Sequence, residues 1–112
     1  MDKDEKPFFL PATREITKMK ETLAPEVMNA WQNFSRTVFK EGTLDEKTKQ
    51  LIAVAIAHVT QCPYCIKGHT KQAMKKGASK KEIMEAIWVA AEMRAGAATA
   101  HANIAINEME EK

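Results

Sequence analysis

From Ala12 to the C-terminus, apolar residues recur at helical spacing, and nowhere do apolar and polar residues alternate between turn signals as a half-buried strand requires. The pattern predicts an all-α fold. Pro25 suits the first turn of a helix that runs through Val27, Trp31, Phe34 and Val38 and stops near Gly42. The stretch Thr43-Leu44-Asp45-Glu46 has the form of a capping box, with Thr43 as the cap, and opens a helix whose body is Leu51 to Val59. That body is apolar on nearly every face, so it is expected to be central and covered on all sides.

Pro63 forces a restart, and the next helix is expected from about Cys62 to Lys76, with its stop at Gly77. Ser79 to Glu82 forms a second capping box, opening a helix with Ile83, Ala86, Ile87 and Ala90 on one face. Beyond Gly96 the alanine-rich run to Ile106 would let helix backbones approach closely, in an antiparallel pair or across subunits. Residues 1–7 are polar and expected to be loose. The whole, residues 1–112, is expected to be one helical domain with its core between about residues 25 and 110.

At 112 residues a single chain leaves apolar surface over, and with an apolar content of 45% this favours self-association. Seventeen basic against fifteen acidic residues give a net charge of +2, too little to imply nucleic acid as a partner. The longest apolar stretch, Leu51 to Ala57, is far shorter than the ~20 residues of a membrane span. The expected location is the cytoplasm, where paired cysteines point to redox chemistry or metal binding before a structural disulfide.

The two cysteines lie in the run Gln61-Cys62-Pro63-Tyr64-Cys65, with His69 four positions later. Spacings of three and seven put Cys62, Cys65 and His69 on one helix face. With Pro63 at the first helical position, Cys62 would sit at the cap and Cys65 in the first turn, where free backbone donors and the helix dipole stabilise a thiolate. His69 can take the proton. A thiolate attacks a peroxide or a disulfide, and a second thiol within a turn closes a reversible disulfide before higher oxidation.

Zinc is the competing reading, since His58, Cys62, Cys65 and His69 offer the two sulfurs and two nitrogens of a closed tetrahedral site. Four ligands on one short stretch would radiate outward, which counts against it, so neither metal nor cofactor is assigned. The plain reading of His58, and of His101, is a core histidine with bonded ring nitrogens. Tyr64 would cover the site, and Trp31 and Trp88 would be core or interface anchors.

The run from Leu44 to Ile87, with Lys-Thr-Lys before an apolar helix, the Cys-x-x-Cys-x-x-x-His motif and Gly-Ala-Ser-x-x-Glu, closely resembles the carboxymuconolactone decarboxylase superfamily, in its alkylhydroperoxidase D-like subgroup. The resemblance covers about residues 44–106. It implies a helical fold assembled as trimers or hexamers, a dithiol active site in a cleft, Cys65 as the peroxidatic thiol, Cys62 as its resolving partner and His69 as a proton relay. The substrate implied is a hydroperoxide or a disulfide, and the reductant a lipoyl-bearing or thioredoxin-like partner. One position departs from the pattern: where relay members carry a glutamate twelve residues before the first cysteine, this chain has Gln50, which cannot accept a proton at neutral pH. Glu46, one turn earlier, is the nearby carboxylate that would stand in for it. A second departure is Tyr64 in place of a histidine. The superfamily's decarboxylases lack the two cysteines, so the dithiol favours peroxide or disulfide reduction; a non-catalytic oligomeric or zinc-binding protein on the same fold, or a lactone decarboxylase-like enzyme, is the alternative.

Overall fold

The computed structural model describes residues 9–111, so the expectation for residues 1–7 lies outside the described residues. Every regular element among them is an α-helix: α1 (Arg14–Leu23), α2 (Pro25–Phe39), α3 (Glu46–Thr60), α4 (Pro63–Lys75) and α5 (Lys80–Glu110). They fall into two compact units, Met1–Gly42 and Thr43–Lys112.

In the first unit, Thr13 caps α1 by accepting from the Ile16 amide, and Pro25 sits at the start of α2, where a missing amide hydrogen costs nothing. Gln32 on α2 donates to Glu21 on α1 at 3.2 Å. Neither helix has a buried residue, and Trp31 and Phe34 on α2 are both exposed, with ring centroids 6.0 Å apart.

The second unit packs α3 against both α4 and α5. Its core is small: Val54, Ala73, Ala78 and Ile83 are buried, with Leu51 and Ile87 packed on them. The face of α5 predicted from Ile83, Ala86, Ile87 and Ala90 is the one turned inward. Ser79 and Glu82 form the expected capping box, each side chain meeting the other's backbone amide. Helix α4 ends at Gly77, whose φ of 96° lets the Ala78 amide reach the Ala73 carbonyl at 2.9 Å, closing a Schellman-type cap.

Three expectations are corrected. The cap of α3 is Asp45 rather than Thr43: its carboxylate accepts from the Thr48 amide at 2.7 Å, and a charged acceptor at a helix N-terminus outcompetes a hydroxyl two residues upstream. Helix α3 is not covered on all sides, since Ile52, Ile56 and Val59 are exposed. The alanine-rich stretch forms no antiparallel pair within the described residues. It continues α5 without a break through Gly96, giving 31 residues or about 46 Å of helix, and every residue from 91 to 110 is exposed. Alanine has the highest helix propensity, and one glycine costs only about 1 kcal/mol against it, so the run has no reason to turn.

Among the described residues, ion pairs link the helices of the second unit: Lys47 with Glu82 at 2.9 Å, between α3 and α5, and Lys76 with Glu46 at 2.6 Å, between the end of α4 and the start of α3. Their side chains are more than a third exposed, so solvent screens both pairs and they serve mainly to fix register.

Candidate functional site

The site begins at the junction of α3 and α4. Helix α3 ends on Gln61, the one non-glycine residue with positive φ (56°) among the described residues, and the Cys62 amide returns to the Ala57 carbonyl at 3.2 Å. Gln61 thus reverses the chain in a single left-handed residue, and Pro63 starts α4 two residues later. Arg94 of α5 adds a tie that no local pattern signals, donating from Nη1 to the Val59 carbonyl at 2.6 Å. A guanidinium at the end of α3 satisfies a carbonyl that has no partner within the helix.

Cys62 is the N-cap of α4, and its Sγ accepts from the Cys65 amide at 3.2 Å. The two cysteines are joined as a disulfide, with Cα atoms 5.2 Å apart, inside the usual bridging range. Both are half-buried. The backbone donor expected to serve Cys65 is therefore turned to Cys62, because the N-cap position is the one whose side chain folds back over the first turn.

His69 lies one turn beyond Cys65 on α4 and is half-buried. Its Nδ1 meets Oε1 of Gln50 on α3 at 2.8 Å, and Gln50 is itself 6% exposed. An amide oxygen can only accept, so this contact places the ring proton on Nδ1 and leaves Nε2 as the basic atom. Burial pushes the His69 pKa below the ordinary 6.5, which keeps the imidazole neutral and able to take a proton at pH 7. Gln50 thus does what a glutamate would do for ring orientation without supplying a charge.

The other sequence candidates lie apart from this pair of contacts. Glu46 is drawn to Lys76, so the carboxylate one turn before Gln50 is held in an ion pair. His58 turns back along α3 with Nδ1 at 2.8 Å from the Val54 carbonyl, the bonded ring of the plain reading. His101 is exposed rather than in the core, as are Trp31 and Trp88 in the single chain. Tyr64 is 47% exposed on the first turn of α4. Among the described residues no three His, Cys, Asp or Glu side chains converge as ligands to a metal ion.

A groove of about 560 Å³ runs between α3 and α5, lined by Ile56, Val59, Val89 and Met93 with Arg94 at its edge. Its lining is mainly apolar, and Val59 lies three residues before Cys62.

Comparison with known proteins places these features in a family context. Residues 25–108 match the family model described as the carboxymuconolactone decarboxylase family. An uncharacterised protein of Paracoccus denitrificans, protein 4 in its cox locus, is 63% identical over 83 residues, covering 74% of this chain and 75% of that protein. The crystal structure of an apo carboxymuconolactone decarboxylase family protein from Legionella pneumophila is similar with a TM-score of 0.66 at 36% identity, over 72% of this chain and 75% of that one. A Thermotoga maritima family protein with a suggested part in an antioxidative response aligns with a TM-score of 0.54 at 35% identity, over 56% of this chain and 65% of that one.

Proposed function

The chain belongs to the carboxymuconolactone decarboxylase family, and from that premise we propose that it is a thiol-dependent peroxidase and dithiol–disulfide oxidoreductase working through Cys62 and Cys65. The observation that carries the reading is the conjunction at one helix start of a bonded cysteine pair and a histidine whose tautomer is fixed by Gln50. The suggested antioxidative part of the Thermotoga maritima relative accords with it.

In the peroxide step, the Cys65 thiol gives its proton to Nε2 of His69 and its thiolate attacks the terminal oxygen of a hydroperoxide. The O–O bond breaks, the alcohol leaves with the proton, and Cys65 becomes a sulfenic acid. Cys62 then attacks the Cys65 sulfur, water leaves, and the Cys62–Cys65 disulfide forms. An external dithiol, lipoyl-bearing or thioredoxin-like, returns two electrons and restores both thiols.

The test is stoichiometric. Reduced protein should consume one equivalent of hydroperoxide per chain as two thiols disappear, and turn over once a dithiol reductant is added. Consumption unchanged in Cys65→Ser, or oxidation that stops at a sulfonic acid with Cys62 untouched, would remove the peroxidase reading.

The proposal extends to assembly as a homo-oligomer, a trimer or hexamer. Its support is the exposed apolar surface of α3 and α5: Ile56, Val59, Val89 and Met93 along the groove, and Ile104, Ile106 and Met109 further along α5.

A further inference from the structure

The two thiols of the pair are served by different devices. Cys65 has a base one turn away in His69, on the same helix, while Cys62 has the backbone: its sulfur occupies the N-cap of α4 and accepts the Cys65 amide at 3.2 Å. A neutral sulfur there already accepts this bond weakly, and a thiolate accepts it more strongly and gains the attraction of the positive end of the helix dipole as well, so the position favours the charged form.

The surroundings strengthen that difference. Helices α1, α2, α3 and α5 each carry a glutamate in their first turn, and Asp45 caps α3 in addition. The first turn of α4 has no acidic residue. Along the rest of α4 the charged residues are Lys67, Lys71 and Lys75, all exposed. With no carboxylate in the first turn of its own helix, the Cys62 sulfur is the side-chain acceptor at this N-terminus and is well placed to carry a negative charge.

We propose that Cys62 is the sulfur that exchanges with external thiols and disulfides, and that mixed disulfides with partners form on Cys62 rather than on Cys65. The proposal rests on the dithiol being the working site and gives its second half-reaction an attacking atom. With the chain reduced, the Cys62 thiolate attacks one sulfur of an external disulfide; the external S–S bond breaks, one external thiolate leaves, and a Cys62 mixed disulfide forms. The Cys65 thiol then loses its proton to Nε2 of His69 and attacks the Cys62 sulfur. The second external thiolate leaves, the chain is oxidised by two electrons, and the external disulfide is reduced by two. In the opposite direction a dithiol reductant attacks Cys62, Cys65 leaves, and the reductant's second thiol closes its own disulfide by expelling the Cys62 thiolate that the helix stabilises. A stabilised thiolate is also a good leaving group, so the intermediate does not persist.

Two experiments on the full-length chain test this. Reduced Cys65→Ser and Cys62→Ser are each mixed with glutathione disulfide between pH 5 and 9. At pH 6, Cys65→Ser should form its mixed disulfide on Cys62 at least about tenfold faster than Cys62→Ser forms one on Cys65, with a rate midpoint below the ~8.5 of an ordinary thiol. In parallel, reduced wild-type protein is labelled with substoichiometric iodoacetamide at pH 6 and the label is located by fragment mass spectrometry, which depends on no variant folding correctly. The label should lie on Cys62. Equal or faster reaction of Cys65 in both experiments would overturn the proposal. Its failure is separable from that of the peroxidase reading: peroxide consumption by the wild type with exchange on Cys65 removes only this assignment, whereas exchange on Cys62 without peroxide consumption supports it and removes the peroxidase.

Discussion

Gln50 and His69, nineteen residues apart and on different helices, meet at 2.8 Å between the amide oxygen and Nδ1 of the ring. The contact fixes which nitrogen is basic, and because its oxygen belongs to an amide it brings no charge to the ring.

Gln50→Glu should therefore raise the His69 pKa, because a carboxylate at the same place favours the charged ring. Proton transfer by a positioned base is worth ~10²–10⁴-fold, and if it limits turnover the variant should recover a measurable part of that as a faster peroxidase rate. Glu46→Gln should change little, since Glu46 is held by Lys76. NMR titration of His69 and steady-state turnover across pH 5 to 9 check both; a crippled Glu46→Gln with a neutral Gln50→Glu would move the relay one turn along α3.

The lowered His69 pKa carries a stability signature. Between the folded value and 6.5 the unfolded chain binds the proton and the folded chain does not, so this contribution is complete above 6.5 and lost as pH falls toward the folded value. His69→Gln should flatten that acid-side loss. Urea midpoints for both proteins at pH 7.5 and 5 give the comparison; an identical pH dependence would contradict the assignment.

Backbone strain at the two ends of the site element should respond in opposite directions. Gln61 holds φ at 56° without the freedom of a glycine, so Gln61→Gly is expected to stabilise the fold by about 0.5–1 kcal/mol. Gly77→Ala should cost about 1 kcal/mol, all of it from the backbone, because no heavy atom lies within 4 Å of an added Cβ. Thermal unfolding should separate the two by several degrees.

Assembly is tested at the α3–α5 groove. Met93→Glu puts a charge among Ile56, Val59 and Val89 and should shift the scattering mass from a multiple of 12.6 kDa toward the single chain. A wild-type mass near 12.6 kDa at micromolar concentration would dispose of the oligomer.

What was legible in the sequence is what local geometry dictates. Periodicity of 3.6 residues and the absence of alternation suffice for an all-helical chain, Ser79 with Glu82 and Gly77 mark helix ends through bonds that span only a few residues, and Cys62, Cys65 and His69 share a face by spacing alone. Local rules also mislead locally: Thr43 and Asp45 are both good caps, and only the actual start of α3 chooses between them. An apolar helix predicts burial, but Ile52 and Ile56 remain exposed in the single chain because α4 and α5 leave part of its circumference open.

The tertiary structure decided everything that depends on how helices cross. That Gln50 reaches His69, that Glu46 is taken by Lys76, and that Arg94 comes thirty-five residues along the chain to the Val59 carbonyl are set by the packing of α3 against α4 and α5. The spacing of the motif put two thiols and a base on one short stretch; the fold gave the first-turn amide to Cys62 and the Gln50 amide oxygen to His69. Sequence periodicity specifies which residues share a face, whereas the partner that face meets is a property of interhelical register, which no single helix encodes.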